Sequence, residues 1–161
     1  MIVLFRGFPN KMSSGEGRVL LSVLVVAIFG AAVCLFVVTQ LGGGTEILRP
    51  LSNYDIWAII AGGIGAACGL YLGRDWFGHE NWQGWVKMAI GTVIVTFMAS
   101  VVGGTFALPL YGTMFGPLSV AMTLFGSPLL LIIWVATLVI AHLQTRKWRI
   151  ERDSIFHAQS K

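Results

Sequence analysis

Apolar and polar positions fall into long blocks along this chain. Four largely apolar stretches, 19–41, 54–73, 85–108 and 117–143, are separated by short polar or glycine-rich text. A helix needs about 20 apolar residues to cross a hydrocarbon core roughly 30 Å thick, and each stretch has that length. Asp55, Lys87 and His142 all stand within a turn or so of a stretch end. The pattern predicts an all-α integral membrane protein, a four-helix transmembrane bundle over 19–143. A cytoplasmic N-terminal segment, 1–18, would precede it and a basic cytoplasmic tail, 144–161, would follow. The first stretch is too long for a signal-peptide core of about 7–15 residues, so it reads as a retained helix. Met12 offers an alternative start to Met1.

Residue types within the stretches set the expected packing. In the second, Ala61, Gly65, Gly69 and Gly73 recur every four residues, beside a row of Ala58, Gly62 and Ala66. Residues four apart share a helix face, and small residues let backbones approach where lipid supplies no hydrophobic drive. This helix is therefore expected at the centre of the bundle. Ser52 and Asp55 form a capping-box pattern at its start, and the Gly42–Gly44 run closes the first helix. The third stretch carries Thr92, Thr96, Ser100 and Gly104 at the same spacing, and the fourth carries Ser127 before Pro128. The hydroxyls are expected to pack and hydrogen-bond between helices. Pro128 should kink the fourth helix. Stretches three and four should form an antiparallel hairpin with Ser100 facing Ser127.

Composition agrees with this reading. Hydrophobic residues make up 56% and charged residues 11%, against about a quarter charged in soluble domains. Mean hydropathy is +0.79. Charge then adds orientation. Arg6, Lys11, Arg18, Arg74, Lys87, Arg146, Lys147, Arg149, Arg152 and Lys161 share one side of the alternating crossings, and Arg49 alone takes the other. Cytoplasmic loops gather Lys and Arg, so both termini are expected in the cytoplasm. The basic balance is thereby accounted for without nucleic acid, since the tail lacks a basic stripe interleaved with base-stacking aromatics.

Candidate chemistry is sparse. The segment 73–85 concentrates Arg74, Trp76, Phe77, Trp82 and Trp85, which with Trp148 are expected at the headgroup level or against a partner. His79 and Glu80 are adjacent, which is not the i, i+4 spacing of a helical metal site. Cys34 and Cys68 sit at depths about 15 Å apart by helix rise, beyond the Cα separation of about 7 Å that a disulfide allows. No catalytic constellation, cofactor motif or metal-ligand cluster is apparent. The expectation is a non-enzymatic protein of the bacterial inner membrane. It would be an accessory or assembly subunit, with the lipid bilayer and other membrane subunits as partners. The alternative is a small homo-oligomeric channel or transporter for a neutral or weakly polar solute, lined by Thr92, Thr96 and Ser100.

Overall fold

The computed structural model describes residues 14–41 and 50–159, and the regular structure in them is helical throughout. Arg6, Lys11, Gly42–Gly44, Arg49 and Lys161 lie outside the described residues. The elements are α1 (Ser14–Leu41), α2 (Asn53–Gly73), α3 (Asn81–Ala107), α4 (Gly112–Gly126) and α5 (Pro128–Gln159), with a 3-10 turn at Arg74–Trp76. Helices α1, α2, α3 and α5 are long and apolar enough to cross a membrane. Helix α4, with 15 residues, is a shorter apolar helix.

Helix α2 begins with a complete capping box. The Ser52 hydroxyl accepts the Asp55 N–H at 3.1 Å, and the Asp55 carboxylate accepts the Ser52 N–H at 2.9 Å. Two backbone donors that the first turn leaves over are thereby satisfied. Further along, small residues occupy two faces. A Cβ on Gly65 would stand 2.5 Å from the Ala99 carbonyl oxygen and 2.6 Å from the Gly103 nitrogen of α3. One on Gly69 would stand 2.8 Å from the Val95 oxygen, and one on Gly73 would strike the Val95 side chain. Gly103 in turn approaches the backbone of Ala61. The neighbouring row meets α1: Gly62 packs on Cys34 and Gly30, and Gly30 packs on Ala66 and Gly62. Helix α2 is thus held between α1 and α3, which scarcely touch each other.

The fourth apolar stretch differs from the single kinked helix expected over 117–143. It is broken at Ser127, whose φ of −129° and ψ of 93° are extended. A residue preceding proline is pushed out of the helical region. Pro128 has no N–H, and as the first residue of α5 it occupies the position where that donor is dispensable. The Ser127 N–H still bonds to the Thr123 carbonyl and its own carbonyl accepts from Leu131, both at 3.1 Å. One residue therefore ends one helix and begins the next.

The break re-routes the chain. Gly112 and Gly116 of α4 lie against the backbone of Gly104 and Ser100, so α4 runs antiparallel to the end of α3. Ser100 consequently faces Gly116, and Ser127 lies at the far end of α4 instead of opposite it. Helix α5 returns along α1. Trp134 stacks on Phe29 with ring centres 5.9 Å apart, Ser22 donates to Gln144 at 2.6 Å, and Arg18 pairs with Glu151. Together α4 and α5 cover the groove that α1 and α3 leave open over α2.

Gly65 and Gly126 give opposite expectations. Gly65→Ala should lower stability by about 1–3 kcal/mol, the scale of overpacking, because backbone atoms block the added methyl. A Cβ on Gly126 would meet nothing within 4 Å, so Gly126→Ala should be neutral or slightly stabilising. Thermal unfolding in detergent checks this, and equal effects at the two sites would contradict the close approach.

Candidate functional site

Two regions gather the polar and aromatic residues of interest. The first is a cavity of about 170 Å³ lined by α1, α2, α3, α4 and Trp134 of α5. Its walls include Gly30, Gly62, Gly103, Gly104 and Gly116, so it exists where facing helices present no side chains. Among the described residues, no carboxylate, amine, guanidinium or imidazole lines it.

The hydroxyl stripe of α3 is mostly turned onto its own backbone. Thr92 donates to the Met88 carbonyl at 3.0 Å, Thr96 to Thr92 at 2.7 Å and Ser100 to Phe97 at 2.7 Å. Such bonds satisfy a hydroxyl inside an apolar helix without a partner. Thr96 does one thing more, accepting the Trp134 indole N–H at 2.8 Å. Cys34 donates to the Ala58 carbonyl at 3.0 Å. Both cysteines are free thiols.

The second region lies at the end where α2 stops, α3 starts and α5 reaches its basic residues. The segment from Arg74 to Glu80 folds inward as a plug. Phe77 is fully buried, which corrects its expected place among the interfacial contacts. Its ring lies 6.2 Å from that of His142, and it also packs over Gly91. Gly78 adopts a φ of +79°, which an L side chain rarely takes. In this conformation its backbone lies against Thr145 and Arg146. Its N–H donates to His142 Nδ1 at 3.1 Å, so that nitrogen carries no proton. His142 is 1% exposed and also meets Trp85, with ring centres 5.4 Å apart. Trp82 is 79% exposed and Trp76 lies at the surface. Arg74 lies 4.6 Å over the Tyr71 ring and Arg152 lies 4.9 Å over Trp148. Glu80 and Arg146 make an exposed ion pair at 3.5 Å, an interaction worth little in water.

Comparison with family models, curated protein sequences and solved structures yields no match. Among the described residues no three His, Cys, Asp or Glu side chains are grouped closely enough to hold a metal ion.

Trp134 and His142 organise these regions, though neither reads as a contact residue in the sequence. Trp134 had a signal: it lies well inside an apolar run, whereas tryptophans of membrane helices favour the interfaces. His142 had a weaker one, as an imidazole ending an apolar run. Its partner is a backbone N–H displayed only by the left-handed Gly78.

His79 supplies a pH dependence. Burial, followed by the nearby Arg149 and Lys87, holds its pKa below the ordinary 6.5, with Asp75 opposing. The unfolded chain therefore binds this proton more readily than the folded chain. The contribution is complete above about pH 6.5 and is lost as pH falls through that value toward the folded pKa. Unfolding temperatures in detergent should drop between about pH 7.5 and about pH 5.5, and His79→Gln should show a shallower drop. An unchanged slope would remove His79 from the account.

Proposed function

We propose that this chain is a multi-pass protein of the bacterial inner membrane with both termini in the cytoplasm. In this reading it is non-enzymatic and serves as an accessory or assembly subunit of a larger membrane complex. The membrane reading is supported by the four long apolar helices. The orientation is supported by Arg18, Arg74, Lys87, Arg146, Lys147, Arg149 and Arg152, which belong to the end where α1 and α3 start and α2 and α5 finish.

The observation that carries the subunit reading is the contrast between interior and surface. The hydroxyls of Thr92, Thr96 and Ser100 donate to carbonyls of their own helix. Helix α4 meanwhile packs mainly on α3 and turns Met114, Met122 and Phe125 outward, at 81%, 68% and 77% exposure. Methionine adapts to irregular partner surfaces, and a short helix lying beside a chain break offers a face for another subunit's helix. Trp82 and Trp76 extend the contact surface at the basic end. The small-residue contacts of Ala61, Gly65, Gly69 and Gly73 serve the chain's own bundle. One observation favours the rival reading as a homo-oligomeric channel for a neutral solute: Thr96, Ser100 and Ser119 all line the 170 Å³ cavity. Against it, no carboxylate, amine, guanidinium or imidazole among the described residues lines the cavity, and pathways for polar solutes commonly recruit such groups.

Orientation is checked by cysteine substitution and a membrane-impermeant thiol reagent in intact cells. A cysteine at Thr113 should be modified and one at Gln83 should not, and the reverse pattern would overturn the orientation. The subunit reading is checked by extraction in mild detergent and identification of what copurifies. A stoichiometric partner lost on Met122→Asp or Phe125→Asp is expected. A homo-oligomer that passes a neutral solute in liposomes would favour the channel instead.

A further inference from the structure

A second cavity, of about 600 Å³, lies between α1, the end of α2 and α5. It is amphipathic in a directed way. Val19, Leu20, Val23 and Leu70 line its apolar wall, while Arg74, Arg149 and Arg152 line its polar wall with Glu16 and Asp75. Three guanidiniums against two carboxylates leave the lining net positive. Glu16 and Arg152 are both engaged in interactions already, so the donors that matter are Arg74 and Arg149. Arg74 rests on the face of Tyr71, a contact that uses the guanidinium plane and none of its N–H groups. The Nε of Arg149 is buried without a hydrogen-bond partner among the described residues. A guanidinium carries five N–H donors, so Arg74 and Arg149, which line the cleft, keep donors to offer an oxyanion. The same excess of positive charge acts on His79, which feels Arg149 and Lys87.

We propose that this cleft binds the phosphodiester headgroup of an anionic phospholipid, with Arg74 and Arg149 donating to the phosphate oxygens. The acyl chain begins against Val19, Leu20, Val23 and Leu70. The proposal rests on the membrane orientation given above, which puts this end at the cytoplasmic leaflet. Guanidinium geometry matches phosphate oxygens, and basic pockets between helices on the cytoplasmic side suit anionic headgroups. The apolar wall is the reason for choosing a lipid over a free anion, which would use only the arginines. Tyr71 and Trp148 complete the site as amphipathic rings of the kind favoured at headgroup depth.

The test is a thermal-shift titration of the full chain in neutral detergent. The additions are phosphatidylglycerol, phosphatidylcholine or inorganic phosphate. Phosphatidylglycerol should raise the unfolding temperature, and the other two should have little effect. Arg149→Gln and Arg74→Gln should each raise the half-saturating phosphatidylglycerol concentration by about tenfold, the scale of one charge-assisted hydrogen bond. Lys147→Gln removes the same charge from an exposed position outside the cleft and should leave the titration unchanged. If Arg149→Gln does not fold, Arg74→Gln carries the test from its exposed turn. Equal stabilisation by phosphatidylcholine would overturn the headgroup site, and equal stabilisation by inorganic phosphate would overturn the lipid as its occupant. Weakening by Lys147→Gln as large as by the arginine variants would reduce the effect to surface charge. The cysteine labelling described above succeeds or fails independently, so a wrong orientation and a missing lipid site are told apart.

Discussion

Close approach of backbones along α2 is the constraint on which the bundle depends. Gly65 and Gly69 admit the backbone of α3, while Gly62 and Ala66 admit α1 on the neighbouring face. Dispersion grows with the number of atoms brought to contact distance, and small residues allow entire helix surfaces to meet. Contact of this kind associates helices even where burying apolar side chains gains little. One helix with two such faces acts as a spacer: it gathers α1 and α3 yet keeps them apart.

The rest of the architecture answers that separation. A groove remains between α1 and α3, and one straight helix would cover it in one direction only. The extended Ser127 ahead of Pro128 lets the chain cover it with two helices of different contacts, α4 on the end of α3 and α5 along α1. The 170 Å³ cavity lies beneath this covering. Trp134 reaches across from α5, stacks on Phe29 of α1 and donates to Thr96 of α3, tying together two helices that scarcely touch each other. Bonds of this kind between helices contribute on the order of 1 kcal/mol, enough to fix rotation and register.

The basic end solves a different problem. Connecting α2 to α3 requires a short irregular segment, whose backbone polar groups need partners. The 3-10 turn, the left-handed Gly78 and the buried Phe77 fold it against α5, and His142 Nδ1 takes the Gly78 N–H. With this plug in place, Arg74 and Arg149 line a cleft shared with α1. Charge that reads in the sequence as an orientation signal is thus also arranged locally, with guanidiniums beside an apolar wall.

The sequence by itself determined the helical class, the central place of α2 and its cap. Those follow from local physics: block length, four-residue spacing and a side chain bonding to the backbone three residues away. It also marked Pro128 as a discontinuity, because proline acts on its immediate neighbours. What only the tertiary structure decided are the outcomes that require knowing which surfaces meet. Whether Pro128 kinks the helix or divides it depends on α3 holding α4 through Gly104, Gly112 and Gly116, and on α1 holding α5 through Phe29 and Ser22. The facing of Ser100 with Gly116, and not Ser127, follows from that division. Phe77 reads as an interfacial ring because aromatics at a stretch end favour that depth, yet its burial is fixed by a turn whose partner lies 64 residues away at His142. Local preference names the kind of element at each position. Pairing between distant segments selects which of its faces is covered.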